Sequence, residues 1–258
     1  IHKKHPYQLR NTLIMKNVTQ KLSAVFMLAL LVSLNGCFVN FDSKEKMEGN
    51  GDVVEMSMDQ EDFEGVSVNG VFDVLLHPGE SHSLTITADE NLMEHIKVEV
   101  KDDVLHITSE KDFKTKQAIK VDVYAEEINY VRIGGAANCE STGTLEADEI
   151  EMKIAGAGNI KLDLDTDELD VDISGAGNLE LEGSADESSI GISGAGNLQA
   201  YDLKTHKTRL KMSGAGNAEV YADEDLSISL SGIGRVSYKG SPENLEKNVS
   251  GLGVVSEG

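Results

Sequence analysis

One five-residue phrase, Ser/Ala-Gly-Ala-Gly-Asn, recurs at Ala155–Asn159, Ser174–Asn178, Ser193–Asn197 and Ser213–Asn217. Degenerate copies stand at Gly135-Ala136-Ala137-Asn138, Ser231-Gly232-Ile233-Gly234-Arg235 and Ser250-Gly251-Leu252-Gly253. The first glycines fall at 135, 156, 175, 194, 214, 232 and 251, in steps of 21, 19, 19, 20, 18 and 19. That period is too short for a domain and suits one coil of a solenoid, so it constrains the fold before any motif is weighed.

Aligning the copies turns the sequence into columns. Four residues before the first glycine stand Val131, Met152, Val171, Ile190, Leu210 and Ile228; two before it stand Ile133, Ile154, Ile173, Ile192, Met212, Leu230 and Val249. Four residues after it come Cys139, Ile160, Leu179, Leu198, Ala218 and Val236, and two further on Ser141, Leu162, Leu181, Ala200, Val220 and Tyr238. Residues between these columns are mostly charged or small, which is strand alternation with one face inward. The fold expected is all-β: a parallel β-helix-like solenoid of coils of about 19 residues, each a strand, a glycine turn and a strand. Six intervals between parallel strands about 4.8 Å apart make this half roughly 30 Å long.

The turn residues are Gly156, Gly158 and Asn159; Gly175, Gly177 and Asn178; Gly194, Gly196 and Asn197; Gly214, Gly216 and Asn217. Paired glycines suit a tight corner with positive φ and a close neighbouring backbone. The asparagines, with Asn138, would stack their amides as a ladder. Composition agrees: 25 Gly, 3 Pro and no Trp leave the turns to glycine and the core to small aliphatics.

Before the repeat, alternation at Val66, Val68, Val71, Phe72, Val74, Leu76, Leu84, Ile86, Ile96, Val98, Val100, Val104, Ile107, Ile119, Val121 and Val123 predicts strands that continue or cap the stack. Lys101-Asp102-Asp103 reads as a hairpin turn, and Glu90 to His95 as one or two helical turns.

At the other end, Lys16 and Lys21 flank Met15 and the apolar run Leu22 to Leu34, followed by Leu34-Asn35-Gly36-Cys37. A basic start, a run too short to span a membrane and a cysteine after a small residue read as a lipoprotein signal over residues 15–36, with lipid on Cys37. Asn35 departs from the small or apolar residue usual at its place. Residues 1–14 read as lying ahead of the translation start, 37–61 as a flexible tether and 62–258 as the solenoid domain. Phe38 is not the Asp of an inner-membrane retention signal, which points to the outer membrane.

The whole chain carries 45 acids and 23 bases, a net charge of −22. Residues 1–36 hold Lys3, Lys4, Arg10, Lys16 and Lys21 and no acid, so the remainder has 18 bases against 45 acids, or −27. Such a surface repels nucleic-acid phosphates and anionic head groups, so membrane attachment falls to the acyl chains at Cys37.

Phe63-Glu64-Gly65-Val66-Ser67-Val68-Asn69-Gly70-Val71-Phe72-Asp73-Val74, the strand pair around Asp103-Val104-Leu105-His106-Ile107 and the Ser-Gly-Ala-Gly-Asn coils together resemble the putative auto-transporter adhesin head GIN domain family. The resemblance covers about residues 60 to 255. It implies β-helix-like coils and a secreted or lipoprotein setting in Bacteroidetes-type bacteria, and it brings no catalytic residues.

Motifs with chemical potential resolve otherwise. Gly175-Ala176-Gly177 lacks the third glycine and the helix of a dinucleotide site, and Ser193 lacks the glycine two residues on that a nucleophile elbow needs. Asp163-Leu164-Asp165-Thr166-Asp167 has calcium-loop spacing, but Glu168 replaces the turn glycine and Ser174 the closing acid. Histidines 77, 82, 95, 106 and 206 have no metal-ligand spacing, Cys139 falls in an inward column, and Arg132, Arg209 and Arg235 are expected to form salt links with neighbouring acids. No catalytic, cofactor or metal residue is assigned. The expected function is a non-enzymatic binding or structural module that meets a glycan or protein. A carbohydrate-active β-helix enzyme would need converging acids in a groove, and a carrier of lipid or small hydrophobes would need a hollow core.

Overall fold

The computed structural model describes residues 46–79 and 81–258. Residues 1–14, the signal segment 15–36 and Cys37 lie outside the described residues.

The first strands are β1 (Met47–Glu48), β2 (Val53–Asp59), β3 (Gly65–Asn69), β4 (Asp73–Pro78) and β5 (Ser83–Asp89). A one-turn helix, α1 (Glu90–Met93), precedes β6 (Ile96–Lys101), β7 (Val104–Ser109), β8 (Phe113–Lys114), β9 (Lys120–Ala125) and β10 (Tyr130–Ile133). Then come the long strands β11 (Asn138–Ile154), β12 (Asn159–Ile173), β13 (Asn178–Ile192) and β14 (Asn197–Met212), and the shorter β15 (Ala215–Tyr221), β16 (Asp225–Leu230), β17 (Ile233–Lys239), β18 (Asn244–Val249) and β19 (Val254–Glu257).

Successive coils pair in parallel in the register of the glycine columns: Asn159 lies beside Asn178, Ile160 beside Leu179, Val171 beside Ile190 and Ile173 beside Ile192. The inward columns form one buried core that runs from Phe63 to Tyr238. Each long strand also contains a second corner. Alternation slips where two consecutive residues face solvent, at Asp148-Glu149, Asp167-Glu168, Asp186-Glu187 and His206-Lys207. A coil therefore has two bends, one made of glycine and one of charged doublets.

The 21- and 20-residue steps are absorbed at one lateral position. Register shifts between Glu140 and Thr144 of β11 and between Glu180 and Glu182 of β13, where the partner strand β14 carries the extra residue, leave the columns on either side aligned. Bulges of this kind add residues outside the core without disturbing it.

At the N-terminal end the stacking order departs from the chain order. β3 and β4 make one coil, which pairs with β10 and β11 on one side and with β7 and β9 on the other. Antiparallel strands then close the stack: β6 on β7, β5 on β9 and β2 on β5. The β6–β7 turn holds Asp102 at φ 52 and Asp103 at φ 59, the two positive φ values of a tight type I′ hairpin. β1 and β2 correct the reading of residues 37–61 as a tether, because the chain is in strands from Met47. Val53, Val54 and Met56 are exposed, so β2 is ordered by its ladder to β5 rather than by burial.

Candidate functional site

The face that follows the glycine corner presents three outward columns. The first runs Lys120, Asp73, Asn138, Asn159, Asn178, Asn197, Asn217 and Arg235; the second runs Asp122, Leu75, Glu140, Lys161, Glu180, Gln199, Glu219 and Ser237. The third carries Asp163, Glu182 and Asp202, with Tyr124 beside His77 nearer the N-terminal end. A trough of about 940 Å³ lies along the first two columns, from Lys120 to Arg235.

The asparagine amides form a directed chain. Asn159 Nδ2 donates to Asn138 Oδ1 at 3.2 Å, Asn178 to Asn159 at 2.9 Å, Asn197 to Asn178 at 3.0 Å and Asn217 to Asn197 at 3.2 Å. Asn138 Nδ2 donates in turn to Asp73 Oδ1 at 2.8 Å. The donor end of the ladder thus meets a carboxylate, and its acceptor end faces the column position of Arg235. Asn138 Oδ1 and Asn197 Oδ1 also accept from the backbone N–H of Asn159 and Asn217, so these two oxygens are saturated, while each amide keeps one N–H for solvent or ligand.

The turn glycines are required by close approach. A Cβ on Gly156, Gly175, Gly194 or Gly214 would run into the carbonyl oxygen of the glycine one coil earlier, and one on Gly158 or Gly216 would meet Ala137 or Gly196 in the same way. A Cβ on Gly177 or Gly196 would also be tight, 2.7 Å or 2.9 Å from the preceding coil's oxygen. None of these eight has a positive φ, so that part of the expectation is corrected; the positive-φ glycines are Gly51, Gly70, Gly183 and Gly240.

On the trough's outer wall, Lys161 Nζ donates to Glu180 at 2.8 Å and Glu182 at 2.9 Å. Those hydrogen bonds hold the ammonium well above the usual lysine range and Glu182 below the usual carboxylate range. Nearer the N-terminal end, His77 Nε2 bonds Asp122 Oδ1 at 2.8 Å, its Nδ1 lies 3.0 Å from Thr142 Oγ1, and Tyr124 stacks on its ring at 4.4 Å. Thr142 belongs to the bulge that absorbs the 21-residue step. This polar cluster carries no marker in the repeat, because its members are 45 and 65 residues apart.

The other singled-out residues are structural. Cys139 is 2% exposed, and burial pushes its thiol up to about 12. Asp163 accepts from Thr144 and Asp165 from Ser184, each across neighbouring coils, while Thr166, next after Asp165, turns inward. Ser193 Oγ points at the Ile173 carbonyl. His82 packs edge-on against Phe63, His95 lies beside Glu94, and His206 bonds Asp223. Among the described residues no group of three or more His, Cys, Asp or Glu is arranged to hold a metal. The arginine expectation is corrected: Lys97, Lys114, Lys153, Lys161 and Lys207 pair with glutamates, whereas Arg132, Arg209 and Arg235 make no ion pair among the described residues.

Residues 62–242 match the model of the family described as putative auto-transporter adhesin, head GIN domain. The chain belongs to that family. Solved structures share the head GIN fold. A putative adhesin from Bacteroides fragilis superposes with a TM-score of 0.78 at 22% identity, over 82% of this chain and 99% of that one. One from Parabacteroides merdae gives 0.65 at 24% identity, over 83% and 99%. A putative lipid binding protein from Parabacteroides distasonis gives 0.65 at 20% identity, over 83% and 100%. At these identities the likeness speaks for the fold alone. No curated protein matches the sequence.

Proposed function

We propose that this head GIN protein is an exported, lipid-anchored, non-enzymatic module of the cell envelope that binds an extended surface polymer along the asparagine-lined trough. The observation that carries this reading is the trough itself: a polar channel that offers a spare amide N–H at every coil, repeated at strand spacing, beside a core filled with aliphatic side chains. A repeating surface suits a repeating ligand, because successive units bind at high effective concentration. Adhesion is the function by which the family is described. The carrier reading has less support, since the inward columns are filled with aliphatic side chains.

The test is a glycan and protein array screen of the exported protein, with and without chelator, followed by product analysis on every polysaccharide that binds. A polymer should bind much more tightly than its repeating unit, and Asn159→Ala with Asn197→Ala should weaken it. Release of oligosaccharide, abolished by changing one acid, would replace this reading with the β-helix enzyme. For the anchor, Cys37→Ala should move the protein from the detergent phase to the aqueous phase; unchanged partitioning would remove lipid at Cys37.

A further inference from the structure

On the face that precedes the glycine corner, three adjacent strands place His106, Ser67 and Arg132 side by side, His106 beside Ser67 in the β7–β3 ladder and Ser67 beside Arg132 in the β3–β10 ladder. Parallel spacing puts the two outer residues about 10 Å apart across the serine. The next outward positions are Thr108 and Asn69, then Gly134, which has no side chain. Short residues in the middle and longer ones around them form a groove of about 540 Å³, with Lys101 and Tyr130 at its edges.

The charge of this groove is opposite to that of the protein. Asp102 is the one acid in its lining, against Lys101 and Arg132, while the trough lining sets Asp73, Glu140, Glu180 and Glu219 against Lys120, Lys161 and Arg235. Two acids on the flanking strands are already engaged: Glu99, opposite His106, bonds Lys97 at 2.8 Å, and Glu151, beside Tyr130, pairs with Lys153. Arg132 and Lys153 lie in register on neighbouring strands, so two cations stand together, and like charges directly opposite repel. The Arg132 guanidinium is exposed and makes no ion pair among the described residues. A planar fork of N–H donors without a partner, ringed by hydroxyl and amide donors, matches an oxyanion.

We propose that this groove binds the carboxylate, sulfate or phosphate group of an acidic saccharide, with Arg132 as the principal contact and Ser67, Thr108 and Asn69 as hydrogen-bonding neighbours. The rest of the surface selects among oxyanion carriers. At a net charge of −22 the protein repels a densely charged polymer or an anionic bilayer, and tolerates a short saccharide that carries few acid groups. This site is on a different face from the trough and does not depend on it.

The test is NMR titration of the full chain with acetate, sulfate and inorganic phosphate, then with trigalacturonic acid, a neutral galactose trisaccharide and vesicles containing phosphatidylglycerol. The anions should perturb the Arg132 side-chain and Ser67 amide signals, and trigalacturonate should bind more tightly than acetate while the neutral sugar does not bind. Arg132→Ala should weaken trigalacturonate about tenfold or more, Arg132→Lys should recover only part of it, and Arg209→Ala should leave it unchanged. Raising salt should weaken binding in the parent and much less in Arg132→Ala. Unperturbed Arg132 signals with all anions, equal binding of the neutral sugar, equal loss in Arg209→Ala, or binding to vesicles alone would each overturn the proposal. Because Arg132 is exposed, unchanged amide dispersion in the Ala variant separates lost binding from lost folding.

Discussion

Lys247 lies beside Ile228 in the parallel register of the last coils, occupying the position of a core residue, and its ammonium donates to Tyr238 Oη at 3.0 Å and sits 4.4 Å from the centre of that ring. β18 is exposed along its whole length, with Leu245 and Val249 on either side of Lys247. An inward-pointing charge on a terminal strand is a recognised defence against further strand pairing. Replacing it with Lys247→Val restores an apolar column on an open edge and should make the protein self-associate with rising concentration in sedimentation velocity. A distribution identical to the parent's would mean that Lys247 does not guard this end.

The glycine corner makes a separable prediction. Gly214→Ala forces a Cβ against backbone one coil away, where only a shift of the stack gives relief, and should cost about 3 kcal/mol or more. Gly191→Ala meets nothing closer than 3.8 Å at a glycine without positive φ, and should be neutral or stabilising by up to about 1 kcal/mol. Urea denaturation of both distinguishes close approach from a general need for glycine.

For the core, Ile173 is 1% exposed and Asp172 beside it faces solvent. Ile173→Asp should lose several kcal/mol through an uncompensated buried carboxyl, and Asp172→Asn should stay within about 0.5 kcal/mol. Equal melting temperatures would show that the inward register is wrong.

Cys139 gives a chemical readout of the same packing. With its thiol pushed up to about 12 by burial, almost no thiolate exists at pH 8, so in a Cys37→Ala background alkylation should proceed only through unfolding. Labelling as fast as that of a free thiol would contradict the burial.

The glycine spacing made the coils, the inward columns and the asparagine ladder legible, because each of these repeats a local rule every 19 residues or so. What escaped depends on long-range partners. β2 is a strand through its antiparallel ladder to β5, and its alternating Val54, Met56 and Met58 are too few to stand out in a charged stretch. The apolar column runs to Ile228 and breaks one coil later, at Lys247. His77 with Thr142, and Arg132 with Ser67, are each joined across 65 residues by stacking that no local pattern announces.

The out-of-order N-terminal coil gives the chain a direction of growth. Gly65 must find Val104 and Tyr130, 39 and 65 residues away, before that block closes, whereas each later coil finds its partner about 19 residues back. Loop closure is therefore slowest at the start and nearly constant afterwards. The N-terminal block then acts as a seed, and the repeats elongate on it like subunits added to a filament.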